Sequence, residues 1–455
     1  MADLVPLQDL LTFTRDGEWG KGEAAHDLVK MAVIRGTDFS AVRHGDVSSV
    51  PVRYIPKEAA DRKALRPGDI LIETAGGTKD QQTGRTVYLN QRVFDALEIP
   101  VTCASFSRFL RVNSEIVDPS YLFWYLQSIY TTGEMFPYHI QHTGVARFQY
   151  TDFAAQWRVP VPDKDRQLAI AEILGSLDDK IELNRRMNET LEAMAQAIFR
   201  DWFVDFGPTR RKIDGTNDPV EIMGGLVSDP ERARQMAGLF PARLGDDGLP
   251  DGWETASVGS VTLLLKRGIA PAYADQGMPV VNQRCIRNST LDFGLARHHD
   301  AGKRNPKERL LQVGDVLINS TGVGTLGRVA TVRRLPGPAT ADSHVTICRP
   351  DRSKISNAIL SLFLEASEPE IAGMGHGSTG QTELSATSLG GLVISVAPRK
   401  VQHSFDSIVA PLRELSSSNA DQNRTLAATR DLLLPKLMSG EIRLRDVEAE
   451  LEAAQ

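Results

Sequence analysis

The chain has 455 residues, of which 41% are apolar and 24% charged, and a formal net charge of −6. Such values fit a soluble globular protein of more than one domain, and exclude a generic polycation that coats nucleic acid, though not a basic groove on an acidic body. No apolar run approaches the ~18 residues of a membrane span. The N-terminus MADLVPLQDL lacks the basic and apolar regions of a signal peptide, and the three scattered cysteines, Cys103, Cys285 and Cys348, fit reduced thiols in a cytoplasm.

Residues 1–163 read as a first globular domain. A short strand around Val33 runs into a turn at Arg35. The turn Pro67-Gly68-Asp69 precedes a buried strand, Ile70-Leu71-Ile72. A polar, glycine-rich loop with Thr78, Lys79 and Arg85 follows. Residues 121–130 (YLFWYLQSIY) predict a core helix, and a second polar loop carries His142 and Arg147. Residues 165–206 then hold one Gly and no Pro, with apolar residues at spacings of four and three. Ile170, Leu174, Leu177 and Ile181 lead into Leu191, Ala195, Ile198 and Trp202, a coiled-coil seam. Asn184 and Asn188 fall on it. About 40 helical residues run roughly 60 Å, a spacer's length. Residues 208–248, rich in Gly, Pro and charge, read as a surface tether with a helical patch near residues 230–239.

Residues 249–398 read as a second globular domain. It contains Arg284 and Arg287 after a strand, basic Lys303 and Arg304, and a strand–glycine loop–strand unit with Ser320, Thr321, Thr325 and Arg328. GHGSTGQ at residues 375–381 places His376 and Gln381 in another polar loop. A second long helix, residues 399–440, repeats the seam with Phe405, Val409, Leu412, Asn419, Asn423, Leu426, Leu433 and Leu437. Pro435 is expected to kink or end it, and Gly440 to stop it. An acidic tail, residues 441–455, is expected to fray at its end.

The two halves repeat one another. LRPGDIL at residues 65–71 returns as LQVGDVL at 311–317; NRRMNETL at 184–191 returns as NADQNRTL at 419–426. LLTFTR at 10–15 resembles VTLLLK at 261–266, and VPVP at 159–162 resembles ISVA at 394–397, all in the same order. If the long helices pack antiparallel, Asn184 and Asn188 lie near Asn423 and Asn419 and pair polar with polar; the alternative is that they face solvent.

Known chemistry is missing. The loop at residues 322–327 lacks the Lys-Ser/Thr and following helix of a phosphate loop, so it is either a plain turn or a loop for a DNA groove. His139 with His142 and His298 with His299 have no ligand-spaced partners, so no metal site is expected. Basic residues at 303–309 and 333–334 are either a solvated face or phosphate contacts. Two similar domains on a rod imply recognition of a split, asymmetric target, one half-site per domain.

VPVPDKDRQLAIAEIL at residues 159–174, LDDKIELN at 177–184, IFRDWF at 198–203, LPDGW at 249–253 and LLLPKLMSG at 432–440 resemble the specificity subunits of type I restriction-modification systems. The resemblance implies an α+β fold: two mixed α/β target-recognition domains separated by two long antiparallel coiled-coil helices in a pseudo-twofold internal repeat. It implies a cytoplasmic, non-catalytic subunit of a restriction system, binding double-stranded DNA, two modification (methyltransferase) subunits and, indirectly, restriction/translocase subunits. S-adenosylmethionine, ATP and Mg are then expected on those partners and none on this chain.

The DNA-contact candidates are accordingly Arg35, Thr78, Lys79, Arg85, His142, Arg147, Arg284, Arg287, Lys303, Arg304, Ser320, Thr321, Thr325, Arg328, His376 and Gln381. Candidates for the helix pair and partner docking are Leu177, Ile181, Asn184, Asn188, Leu191, Ile198, Trp202, Leu412, Asn419, Asn423, Leu426 and Leu433. Two other classes stay open at this point: an orphan DNA-binding scaffold or regulator, and a fused methyltransferase or nuclease, which the missing motifs disfavour.

Overall fold

The computed structural model describes residues 3–77, 81–141, 145–375 and 383–442. By contact density the chain forms two compact units, residues 1–185 with 421–455, and residues 186–420. The long helices, Lys164–Phe203 and Arg399–Ser439, are thus each divided between the units. This differs from a partition in which they stand as separate segments.

In the first unit, a four-stranded antiparallel sheet has the spatial order Leu11–Asp16, Ser107–Val112, Ile70–Glu73, Thr86–Tyr88. Its centre follows from the local sequence. Gly68 takes φ +92° in the turn, a conformation that disfavours any residue with a Cβ. Asp69 then accepts the Arg66 N–H at 2.8 Å and a two-pronged bond from Arg111 at 3.0 and 2.7 Å. Ile70, Leu71 and Ile72 are fully buried, as a continuous apolar run in a two-sided strand requires. A three-stranded sheet, Val52–Pro56, Leu28–Ile34, Val101–Cys103, lies in the same unit. Asp118 caps the helix Pro119–Thr131 by accepting from Ser120 and Tyr121 N–H. That helix packs with Ile170, Leu174, Leu177, Leu433 and Leu437 in one hydrophobic cluster.

The second unit repeats this order: Thr262–Arg267, Val345–Pro350, Val316–Asn319, Val329–Thr331. Gly314 takes φ +99°. Asp315 accepts the Gln312 N–H at 2.8 Å and both prongs of Arg349 at 2.7 and 2.8 Å. Strand Met278–Val281 pairs antiparallel with Arg297–His299 and parallel with Thr340–Ala341, as Leu28–Ile34 pairs with Val52–Pro56 and Val101–Cys103.

Two expectations need correction. Residues 208–248 are not a surface tether: they form helices Gly207–Ile213, Pro219–Ile222 and Pro230–Ala237. Ile222, Met223, Met236 and Phe240 join the cluster around Trp202, Phe405 and Trp253, with the Phe240 ring edge-on to Trp202 at 4.9 Å. Apolar side chains spaced between glycines and charges bury about 2 kcal/mol each, enough to hold such a segment down. Nor does Pro435 end its helix, which continues to Ser439. Proline removes one N–H, whose acceptor four residues back belongs to exposed Asp431, where water replaces the bond. Gly440, at φ +78°, follows the last turn.

The three cysteines are free and buried. Burial pushes the Cys103 thiol up to about 12 and raises Cys285 and Cys348 as well, which makes them unreactive core residues. Among the described residues no helix is long and apolar enough to cross a membrane.

Candidate nucleic-acid interface

Within each unit, the two long-helix segments run antiparallel and meet through asparagine. In the first unit, Asn184 donates to Gln422 Oε1 at 2.8 Å and to Asn423 Oδ1 at 2.9 Å, while Asn423 donates to the Ile181 carbonyl at 3.2 Å. In the second, Asn419 donates to Asn188 Oδ1 at 2.9 Å and Asn188 to the Ser416 carbonyl at 3.1 Å. The flanking seam residues Leu177, Ile181, Leu191, Ile198, Trp202 and Leu433 are buried, whereas Leu412 and Leu426 are half-buried.

Charge ties the helices to each unit's body. Asp178 lies between Arg43, at 2.9 Å, and Arg430. In the second unit Arg413 meets the buried Glu365 at 2.9 Å, and Arg333 meets Glu192 at 2.6 Å. Arg333 is thus a structural ion pair rather than a phosphate contact. Arg211, bound to Asp201, and Lys212, bound to the Phe240 carbonyl, are likewise committed.

Two glutamines that the sequence alone did not single out as site residues join helix to body. Gln167 accepts the Asp118 N–H at 2.7 Å and donates to the Pro162 carbonyl at 2.7 Å. Gln402 accepts the Ser356 N–H at 2.9 Å and donates to the Ala397 carbonyl at 2.8 Å. The available signal was the offset: the 235 residues separating Asn184 from Asn419 also separate Gln167 from Gln402.

At the loop end of the first sheet, Arg85 makes a two-pronged bond to the buried Glu73 at 2.9 and 2.6 Å. Arg35 is held similarly by Asp38, at 2.9 and 2.8 Å, and also donates to the Ser49 carbonyl. Hydrogen bonding to the neighbouring carboxylate raises the pKa of both arginines. Arg147 is exposed in Ala146–Phe148, bridged to Ala75. These three arginines therefore share one unit. Thr78, Lys79, His142, His376 and Gln381 lie outside the described residues.

In the second unit the glycine loop is a turn joining Val316–Asn319 to the antiparallel Val329–Thr331. Arg284 and Arg287 are exposed. Arg328 donates to the Gly324 carbonyl at 2.9 Å, and Thr325 to the Thr321 carbonyl at 3.3 Å. Ser320 is a correction: it directly follows the strand, its side chain is fully buried, and its hydroxyl is bonded to Thr346 of the neighbouring strand, so it is turned away from any ligand. Thr321 is nearly buried too, bonded to Gln283 and, at 2.8 Å, to His344 Nδ1; it holds other side chains rather than reaching outward. Lys303 and Arg304 lie on a separate turn, Lys303 3.8 Å from Asp300 and Arg304 bonded to the Ala270 carbonyl. His139 accepts from Thr83 N–H, and His299 bonds to the backbone of Ala272 and Arg304. Both rings thus have structural partners, and no metal-ligand cluster occurs among the described residues.

A family model described as the type I restriction modification DNA specificity domain matches residues 30–193. The HindI specificity subunit of Haemophilus influenzae is 26% identical over 444 residues, covering 88% of this chain and 91% of that protein. The chain is thus similar, over most of its length, to a type I restriction-modification specificity subunit. Such subunits are non-catalytic. The MjaIX specificity subunit of Methanocaldococcus jannaschii is 25% identical over 299 residues, covering 64% of this chain and 61% of that one. Among solved structures, the S subunit of the M. genitalium type I system matches 96% of both chains with a TM-score of 0.54 at 14% identity, which supports the specificity-subunit fold.

Proposed function

We propose that this chain acts as a specificity subunit and reads a bipartite, asymmetric DNA site, one half-site per unit, for a cytoplasmic type I restriction-modification complex. The observation that carries the reading is the pair of units with one strand order and different side chains at corresponding loop positions. Glu73 and Arg85 stand in one; Asn319 and Arg328 stand in the other, joined by the same backbone bond. A common frame with different polar heads recognises different sequences.

The chain is read as an internal duplication with pseudo-twofold symmetry, its long helices pairing as an antiparallel coiled coil and setting the gap between half-sites. Arg35, Arg85, Arg147, Arg284, Arg287, Arg328 and Thr325 are the candidate DNA contacts, with Lys303 and Arg304 as outlying phosphate contacts. Outward faces of the helices dock two methyltransferase subunits, and through them restriction/translocase subunits. Those partners carry S-adenosylmethionine, ATP and Mg.

The test is methylation sequencing in a methylation-free host, with the chain expressed with and without its modification subunit. A split adenine-methylation motif that appears only with both chains supports the reading. Methylation by this chain alone, or none with a verified soluble partner, refutes it.

A further inference from the structure

The loop ends of the two sheets can be aligned atom by atom through their backbone bonds. Glu73 N–H donates to the Arg85 carbonyl at 2.8 Å and Asn319 N–H to the Arg328 carbonyl at 2.9 Å. Thr74 N–H donates to the Phe106 carbonyl, and Ser320 N–H to the His344 carbonyl, both at 2.8 Å. Arg35 and Asn282 both precede a short 3-10 turn, Gly36–Asp38 and Gln283–Cys285. Gly36 therefore corresponds to Gln283, Glu73 to Asn319 and Ala75 to Thr321.

The same place is filled in two ways. In the first unit Gly36 has no side chain, and a Cβ there would lie 3.0 Å from Glu73 Oε1 and 3.6 Å from Arg85 Nη2. The Arg85–Glu73 pair occupies the space. Glu73 takes Nε–H and one Nη2–H, which leaves three N–H groups on the end of the guanidinium. In the second unit Asn319 carries no charge to hold Arg328, which turns to the Gly324 carbonyl. Gln283 occupies the space instead. Thr321 Oγ1 accepts one Gln283 N–H and is itself bonded to His344. This leaves Gln283 one N–H and its carbonyl oxygen. Gly322 is bare at that oxygen: a Cβ would approach Gln283 Oε1 to 2.7 Å.

Resting on the specificity-subunit reading, we propose that Arg85 and Gln283 are corresponding base-reading heads, Arg85 for a guanine in one half-site and Gln283 for an adenine in the other. Guanine offers two acceptors, O6 and N7, to the end of an arginine. Adenine offers an acceptor and a donor, N7 and N6, to a carboxamide. Glu73, and Thr321 with His344, are positioning residues: they fix the plane of each head before DNA arrives, so that less freedom is lost on binding. Exposed Arg147 bridged to Ala75, and exposed Arg284 and Arg287, one and four residues after Gln283 in the chain, supply phosphate contacts that set the register.

The test uses the full chain with its modification subunits in a methylation-free host, comparing wild type, E73Q/R85M and Q283A. The double variant removes the ion pair without stranding the buried Glu73 carboxylate. E73Q/R85M should relax one G·C position in one half-site, and Q283A one A·T position in the other. The base preference should fall about 10- to 100-fold at each. Binding of the purified chains to duplexes substituted one base pair at a time reads the same positions without methylation. A variant that keeps the wild-type preference there, or relaxes a base pair of the other type, overturns the assignment. A wild-type chain that directs no split motif sinks the specificity-subunit reading and this assignment with it; a wild-type motif unchanged in both variants overturns this assignment alone.

Discussion

Replacing Gln402 by Leu should loosen the second unit without altering its apolar volume much. Gln402 is 1% exposed, and its carboxamide satisfies the buried Ser356 N–H and Ala397 carbonyl, besides the Lys354 carbonyl and Arg399. Leucine removes every one of these bonds. The Lys354 and Arg399 groups can turn to water, so they cost little. Two buried backbone groups are stranded, at roughly 1–2 kcal/mol each, for a loss of about 3 kcal/mol. In a unit of about this size 1 kcal/mol moves the melting temperature by roughly 2–4 °C, which puts the expected fall at about 6–12 °C. Calorimetry of the full chain reads the fall, and hydrogen exchange should show faster exchange at the start of helix Asn357–Ala366. Gln167→Leu should do the same in the first unit, at helix Pro119–Thr131. A Q402L protein that melts within a degree of wild type, with unchanged protection there, would refute the argument that these glutamines complete buried backbone bonding.

Other outcomes follow from the same geometry. Because Asn184 and Asn423 satisfy one another, Asn184→Leu and Asn423→Leu should each lower stability alone yet be neutral or stabilising together, with about 1 kcal/mol of coupling; an additive cycle would count against pairing. Replacing all four of Asn184, Asn188, Asn419 and Asn423 by Leu should raise the melting temperature and relax the helix register, visible as heterogeneous cross-linking. Burial, then the nearby Arg185 and Arg43, depress the His44 pKa from 6.5 to about 4. The unfolded chain therefore binds the proton more readily, so this stabilisation is complete above pH 6.5 and is lost as pH falls toward 4. The loss reaches about 2–3 kcal/mol, and His44→Gln should flatten the denaturation midpoint over that window. Deleting one heptad from each long helix removes about 10 Å, which should shorten the gap of the methylated motif by about three base pairs at ~3.4 Å each; an unchanged gap would refute a ruler role.

Much of this architecture was legible in one dimension because it rests on local periodicity and on self-similarity. The heptad spacing marks both long helices to within a few residues of Lys164–Phe203 and Arg399–Ser439. The repeated Gly-Asp turn marks the central strand of each four-stranded sheet. The repeated Asn spacing allowed Asn184 to meet Asn423 if the helices pack antiparallel, and left solvent exposure equally open; the hydrogen bond between them decides for pairing. What the sequence left open depends on which distant groups meet. Ser320 and Thr321 look like loop ligands in the chain, but pairing with Thr346 and His344 turns them inward. Residues 208–248 have the composition of a linker, yet a few apolar side chains at the right separation dock them on Trp202 and Trp253. Arg85 is one basic residue among many until Glu73 fixes it, and Gln283 is unremarked until Thr321 does the same. Periodicity records the face a residue presents within its own element. The partner it meets there is decided by contacts many residues apart, and only the folded chain brings those together.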